Sequence, residues 1–256
     1  MLMYYNLSIV GIQDTRISVD NTCIQEMKNV FGCPSAWSNY CALFIFDKNV
    51  EIISSQIEFN HRVLLLSLSL FGFTFSVAVV YAPPQKIAKD KFYISLSNFK
   101  WPENIIFFGD FNCYLNPSID QYPASTIQKP GAPLFLDFCM SACVSDVFEA
   151  SKSSMSNMSR PTIFSAAQSK TISGTRIDAI LASNFIRSYC TSSNHIQCTF
   201  TDHCLVLSTW SVDKRTSSSK PFINHASASN HILAAKIFKQ VYLLVARPRL
   251  EDAKPI

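Results

Sequence analysis

The sequence predicts an α/β protein built as two packed mixed β-sheets flanked by helices, a four-layer sandwich. Apolar runs alternate at period two, amphipathic stretches of helical period interrupt them, and the chain's polar clusters fall at the ends of the apolar runs. At 256 residues the chain suits one large domain or a domain with an appendage. Hydrophobic residues make up 48% and charged residues 16%, which excludes the disordered class.

The pattern predicts a short strand over residues 8–12 ending in Gln13-Asp14, then a helix over 21–31 with Ile24, Met27 and Val30 on its apolar side. Strands follow at 42–46, 50–57, 63–70 and 73–81, and Pro83-Pro84 stops the last of them. Residues 63–80 run eighteen positions without a charge, long enough to suggest a membrane span. The period-two alternation on both sides of Phe71-Gly72 argues instead for strand, turn and strand. A helix is expected over 89–99, and a strand over 104–108 that breaks off at Gly109-Asp110-Phe111-Asn112. Residues 131–142 read as a helix, 145–148 as extended and 151–160 as a Ser/Met/Lys-rich loop, with further strands at 162–165, 177–181 and 204–210. Residues 1–212 thus form the main domain. Within 213–256, residues 213–220 read as a linker and 228–246 as a separate apolar helix carrying Leu233, Ile237, Val241 and Leu244 on one face.

A net charge of +4 leans basic without the dense basic stripe of a protein that binds nucleic acid by charge alone. Nine cysteines show no CxxC pair and no His/Cys metal spacing, so free thiols in a reducing, intracellular compartment are expected. Nothing near Met1 resembles a secretion signal, and the sequons at Asn6 and Asn157 are read as chance. No membrane partner and no obligate protein partner is indicated.

Chemistry is expected at five strand ends, which carry Asp14, Tyr81, Asp110 with Asn112, Asp178, and Asp202 with His203. Singly, Asp110 could serve a turn, Asp178 a surface ion pair and Asp202-His203 a strand cap. Together at one sandwich rim, the carboxylates would repel unless a cation sat among them, and such hard donors suit Mg²⁺ or Mn²⁺ better than zinc. Phosphodiester cleavage needs a metal for the non-bridging oxygens, a base to position water and donors for developing charge, and these residue types supply them.

Ile12-Gln13-Asp14-Thr15-Arg16, Val80-Tyr81-Ala82-Pro83, Gly109-Asp110-Phe111-Asn112, Arg176-Ile177-Asp178 and Thr201-Asp202-His203 resemble, in order, the motifs of the endonuclease/exonuclease/phosphatase superfamily. Tyr81-Ala82-Pro83-Pro84 and Arg160-Pro161-Thr162-Ile163-Phe164-Ser165 look most like endonucleases of LINE-type (non-LTR) retrotransposons. The resemblance covers roughly residues 7–210. It implies a DNase I-like fold, Mg²⁺ or Mn²⁺ as cofactor, DNA as substrate and the nucleus as location. It further implies metal binding by Asp14 and Asp202, phosphate contact by Tyr81 and His203, and orientation of His203 by Asp178. Asp110 would orient the attacking water, Asn112 would stabilise the transition state, and Thr162 would line the DNA-binding rim.

Two departures stand out. The metal acid of the family is normally Glu, and Asp14 is one methylene shorter. Relatives also begin with a strand bearing an Asn that helps bind metal and phosphate, and this chain starts after that position. The first strand is therefore expected to be missing, leaving an unpaired edge beside the site at about 1–3 kcal/mol per buried unsatisfied group. Two other readings follow: an inactive remnant of such a domain, and a phosphoesterase on another substrate such as an inositol phosphate, a sphingolipid or an RNA tail.

Overall fold

The computed structural model describes residues 7–18, 22–123, 131–150, 161–166, 172–197, 201–210 and 241–246. The first part runs β1 (Ile9–Gln13), α1 (Thr22–Phe31), β2 (Ser35–Trp37), β3 (Cys41–Ile45), β4 (Val50–Glu58), β5 (Val63–Leu70), β6 (Phe73–Tyr81), α2 (Lys86–Asn98) and β7 (Ile105–Asp110). The second runs α3 (Pro117–Asp120), β8 (Gln121–Tyr122), α4 (Ala132–Ser141), β9 (Val144–Asp146), α5 (Val147–Ala150), β10 (Ile163–Ala166), β11 (Ile172–Thr175), β12 (Asp178–Ser183), α6 (Asn184–Arg187), β13 (Cys190–Ile196), β14 (Leu205–Trp210) and β15 (Val241–Ala246).

Two six-stranded sheets result, one ordered β13-β14-β15-β1-β3-β2 and the other β4-β5-β6-β7-β12-β9. Strand alternation explains how they stack. On β5, β6 and β7, one parity set, including Leu64, Leu66, Val77, Val79, Ile106 and Phe108, joins Ile9 and Leu43 of the other sheet in a shared core. The opposite parity set, Leu65, Ala78, Val80, Ile105 and Phe107, packs against Phe92 and Leu96 of α2 and Phe135 and Phe138 of α4. Val10, Phe44 and Leu205 face outward from the first sheet against Ile24 of α1. The layers are thus α1, sheet, sheet, and α2 with α4, as the alternation of strand and helix patterns predicts.

Local chemistry places the ends. Gly32 closes α1 at φ 59, its N–H bonded to the Lys28 carbonyl at 2.9 Å. Phe71 and Gly72 take φ 50 and 84, the left-handed pair of a two-residue hairpin turn, and set Leu70 opposite Phe73. The uncharged run at 63–80 is therefore a hairpin, with Val63 opposite Val80. Among the described residues no helix is long and apolar enough to cross a membrane.

The C-terminal part differs from expectation. Residues 241–246 of the expected helix form strand β15, and residues 228–240 lie outside the described residues, as does the loop at 151–160. β15 lies parallel to β1, with Ile9 opposite Leu243 and Ile12 opposite Ala246, and antiparallel to β14, with Val206 opposite Val245. The expected bare edge of β1 is thus corrected: β1 has β15 on one side and β3 on the other. β-Branched and aromatic residues in Val241-Tyr242-Leu243-Leu244-Val245 suit a strand, and two unpaired edges on either side outweigh the helical spacing. α2 begins three residues ahead of its expected start, and β2, β8, β11 and β13 are strands the pattern does not predict.

Candidate functional site

Parity also builds the site. β6 and β7 run parallel with Tyr81 opposite Asp110, and β12 runs antiparallel to β7 with Asp178 opposite Asp110. Tyr81 continues the inward row of Val77 and Val79, Asp110 that of Ile106 and Phe108, and Asp178 that of Ile180 and Ala182. The three side chains therefore stand abreast where apolar strands give way to polar residues. From the facing sheet, the C-terminal end of β1 brings Asp14, and the N-terminal end of β14 brings His203.

His203 and Asp178 form a buried pair, Nδ1 to Oδ2 at 2.7 Å, with both residues 2% exposed. A carboxylate only accepts, so the Nδ1 proton sits between them and Asp178 fixes the orientation of the ring. Among the described residues, Asp110, Asp178 and His203 are the group able to converge on one ion, with ligand atoms within 4.8 Å of one another. Asp110 Oδ1 accepts the Asn112 N–H at 2.8 Å. Asn112 holds φ 48, and its side-chain amide donates to the Ala82 carbonyl at 2.8 Å. Both residues are thereby fixed to the end of β6.

Thr162 is fully buried and does not line a rim. Its hydroxyl accepts the N–H groups of Ile177 and Asp178 at 3.0 and 3.1 Å, and its carbonyl accepts the Cys204 N–H at 2.6 Å. One residue thus ties the backbone beneath Asp178 to that beneath His203. Next to it, Arg176 lies buried between Asp120 at 2.7 Å and Asp146 at 2.6 Å. Burial alone would lower its pKa, but the two carboxylates outweigh burial and the net shift is upward.

Asp14 sits at φ 58 and is engaged by Arg16, whose Nε and a terminal nitrogen donate to its two oxygens at 3.0 and 3.1 Å. The hydrogen bond and charge of Asp14 raise the Arg16 pKa. Asp202 is exposed, outside the Asp110, Asp178 and His203 group. A cavity of about 460 Å³ opens beside Asp14, lined by Arg16, Asn39, Tyr40, Arg62 and Tyr81. Arg62 lies against two neighbouring rings, its guanidinium carbon 4.5 Å from the Tyr40 centroid and 5.2 Å from that of Tyr81. It also donates to the Tyr81 carbonyl at 3.2 Å. Three consecutive left-handed residues, Phe59, Asn60 and His61 at φ 52, 54 and 65, deliver it there. Such a turn costs roughly 1–2 kcal/mol per residue, so tertiary contacts must hold it.

Sequence reasoning assigns no role to Arg16, Tyr40 or Arg62. Arg16 lies inside a quoted motif, but Tyr40 and Arg62 meet only through the folding of β3 onto β5. The rim holds Asp14, Asp110 and Asp178 against Arg16 and Arg62. This excess of carboxylate fits a hard divalent cation. Among the described residues, Asp110, Asp178 and His203 are the ones placed to offer it ligand atoms, and Asp14, held by Arg16, would join them only with Arg16 displaced.

No family model matches the chain, and no curated protein sequence matches it. Solved structures do. An AP endonuclease from Archaeoglobus fulgidus superposes with a TM-score of 0.61 at 15% identity, over 82% of this chain and 91% of that one. The 3'-5' exonuclease NExo from Neisseria meningitidis gives 0.57 at 17% identity, over 78% and 87%. The endonuclease domain of TRAS1, a telomere-specific non-LTR retrotransposon, gives 0.52 at 10% identity, over 77% and 95%. With its two mixed sheets between helical layers, the chain has the DNase I-like fold of these proteins.

Proposed function

We propose that this chain is a divalent-metal-dependent phosphodiesterase that nicks DNA, of the kind carried by non-LTR retrotransposons. The observation that carries the reading is the buried His203–Asp178 pair standing beside Asp110 at the rim of this fold. A bound Mg²⁺ or Mn²⁺ would neutralise the non-bridging phosphate oxygens. The chain's own residues do the rest. Asp110 accepts a proton from water and aims it, and the second N–H of the Asn112 amide is directed at the developing charge. His203 donates from Nε2 to the phosphate, with Asp178 keeping the ring turned and the imidazolium stabilised. The Tyr81 hydroxyl orients the phosphate, and Arg62 supplies a fixed positive charge in the adjoining cavity. The same reading, by its likeness to retrotransposon endonucleases, assigns the protein to the nucleus.

The test is nicking of supercoiled plasmid by the purified chain with Mg²⁺ or Mn²⁺, beside an Asp110→Ala, His203→Ala double variant and an EDTA control. Metal-dependent nicking lost in the double variant is expected. Its absence from a folded chain would sink the proposal and favour the remnant reading, which the engagement of Asp14 by Arg16 supports. The two readings separate further on Mn²⁺ affinity. Arg16→Ala is expected to bind Mn²⁺ more tightly than the parent by calorimetry, because it removes the competing cation; an unchanged affinity would take Asp14 out of the metal site.

A further inference from the structure

Helix α2 reaches the turn at residues 109–112 from behind, at two points. Lys89 Nζ donates to the Asn112 carbonyl at 2.8 Å, and the Tyr93 hydroxyl donates to the Phe111 carbonyl. Their spacing of four residues puts both side chains on one face of the helix. Lys89 is 7% exposed and Tyr93 is fully buried. Burial raises the Tyr93 pKa and keeps its hydroxyl a donor.

The rest of the turn is tied down as well. Ala82 N–H bonds the Asp110 carbonyl at 2.8 Å, and Phe111 N–H bonds the Ile177 carbonyl at 2.9 Å. Asn112, the residue capped by Lys89, is the one at left-handed φ 48, and its N–H holds the Asp110 carboxylate. Turning Asn112 out of that conformation would release the carboxylate. Among the described residues, no carboxylate lies within 4.0 Å of the Lys89 ammonium. A buried cation without a counter-ion is costly, and a neutral donor would serve one carbonyl, as Tyr93 does next door. The charge calls for an anion across the turn. Asp110 and a phosphate drawn to the rim are such anions.

We propose that Lys89 is a positioning residue for this site: its ammonium locks the Asn112 carbonyl, so fixing the Asp110–Asn112 hydrogen bond and the aim of both side chains, with Tyr93 as the neutral half of the clamp. The inference rests on the hydrolytic reading of the site. Its test compares Lys89→Met, Lys89→Gln, Lys89→Arg and Tyr93→Phe with the parent, reading kcat and KM for nicking, thermal stability, and hydrogen exchange at the Asn112 amide. Lys89→Met is expected to lower kcat about 10- to 100-fold with KM within about twofold, as small misplacements of reacting groups do. Exchange at Asn112 should quicken, and Lys89→Arg should recover most of both; Lys89→Gln, which keeps a donor without the charge, guards against a Met variant that does not fold. Unchanged kcat in the folded Met or Gln variant overturns the proposal, as does an equal loss in Met and Arg variants that tracks thermal stability. If the parent proves inert, exchange decides alone. Faster exchange then sustains the clamp while the nuclease reading fails, and unchanged exchange overturns it.

Discussion

The hydroxyl of Thr162 accepts two buried backbone N–H groups, so its loss removes the acceptor of both. Thr162→Val, which keeps the shape, is expected to cost about 1–3 kcal/mol in urea unfolding and to loosen the His203–Asp178 pair, while Thr162→Ser should stay near the parent. A Val variant as stable as the parent would remove Thr162 from that role. The sequence places Thr162 in a motif, but its burial depends on β11 and β14 folding over it. Arg176 is held by a different balance. Its removal as Arg176→Met would leave Asp120 and Asp146 buried without their cation, a loss of about 3–5 kcal/mol. Because the folded pKa of Arg176 is raised, its contribution is complete below the unfolded value and fades only as pH climbs through the folded one. Both lie in strong alkali. The stability gap between parent and Arg176→Met should therefore stay level across neutral pH, and a gap that varies there would point to another titrating group.

At the scale of an element, Gly109 decides whether β7 can lie beside β6. Its φ is 151, and a Cβ there would overlap the Val80 carbonyl, which is backbone and cannot swing away. Gly11 in β1 is similarly closed off by the Phe108 ring, a side chain with some room to shift. Gly109→Ala should thus unfold the chain or cost several kcal/mol, and Gly11→Ala less; equal denaturation midpoints for the two would contradict the packing described. The strands with apolar alternation, β5, β6, β7 and β14, are legible because their own residues demand a buried face. β13, spelled Cys190-Thr191-Ser192-Ser193-Asn194-His195-Ile196, makes no such demand. It is a strand because β14 offers it a ladder, with His195 opposite Val206 and Ile196 opposite Leu205.

Across the whole molecule, β15 joins the C-terminal part of the chain to the sheet that carries Asp14 and His203. Removing residues 211–256 would bare the facing edges of β1 and β14, two ladders in the middle of a sheet. Such a truncation is expected to aggregate or to lose the near-ultraviolet signature of packed aromatics, while one lacking only residues 247–256 keeps it. A truncated chain that stays folded would show that the strand is an accessory. Sequence by itself determined the layers and the polar residues at strand ends, because period-two and helical patterns and breaks at Pro83 and Gly109 are local properties of the chain. Only the tertiary structure decided that Tyr81, Asp110 and Asp178 share a row, that Arg62 lies against the Tyr40 and Tyr81 rings, that Arg16 occupies Asp14, and that residues 241–246 are a strand. Those outcomes depend on which edges and side chains from distant positions meet, and no local pattern encodes that.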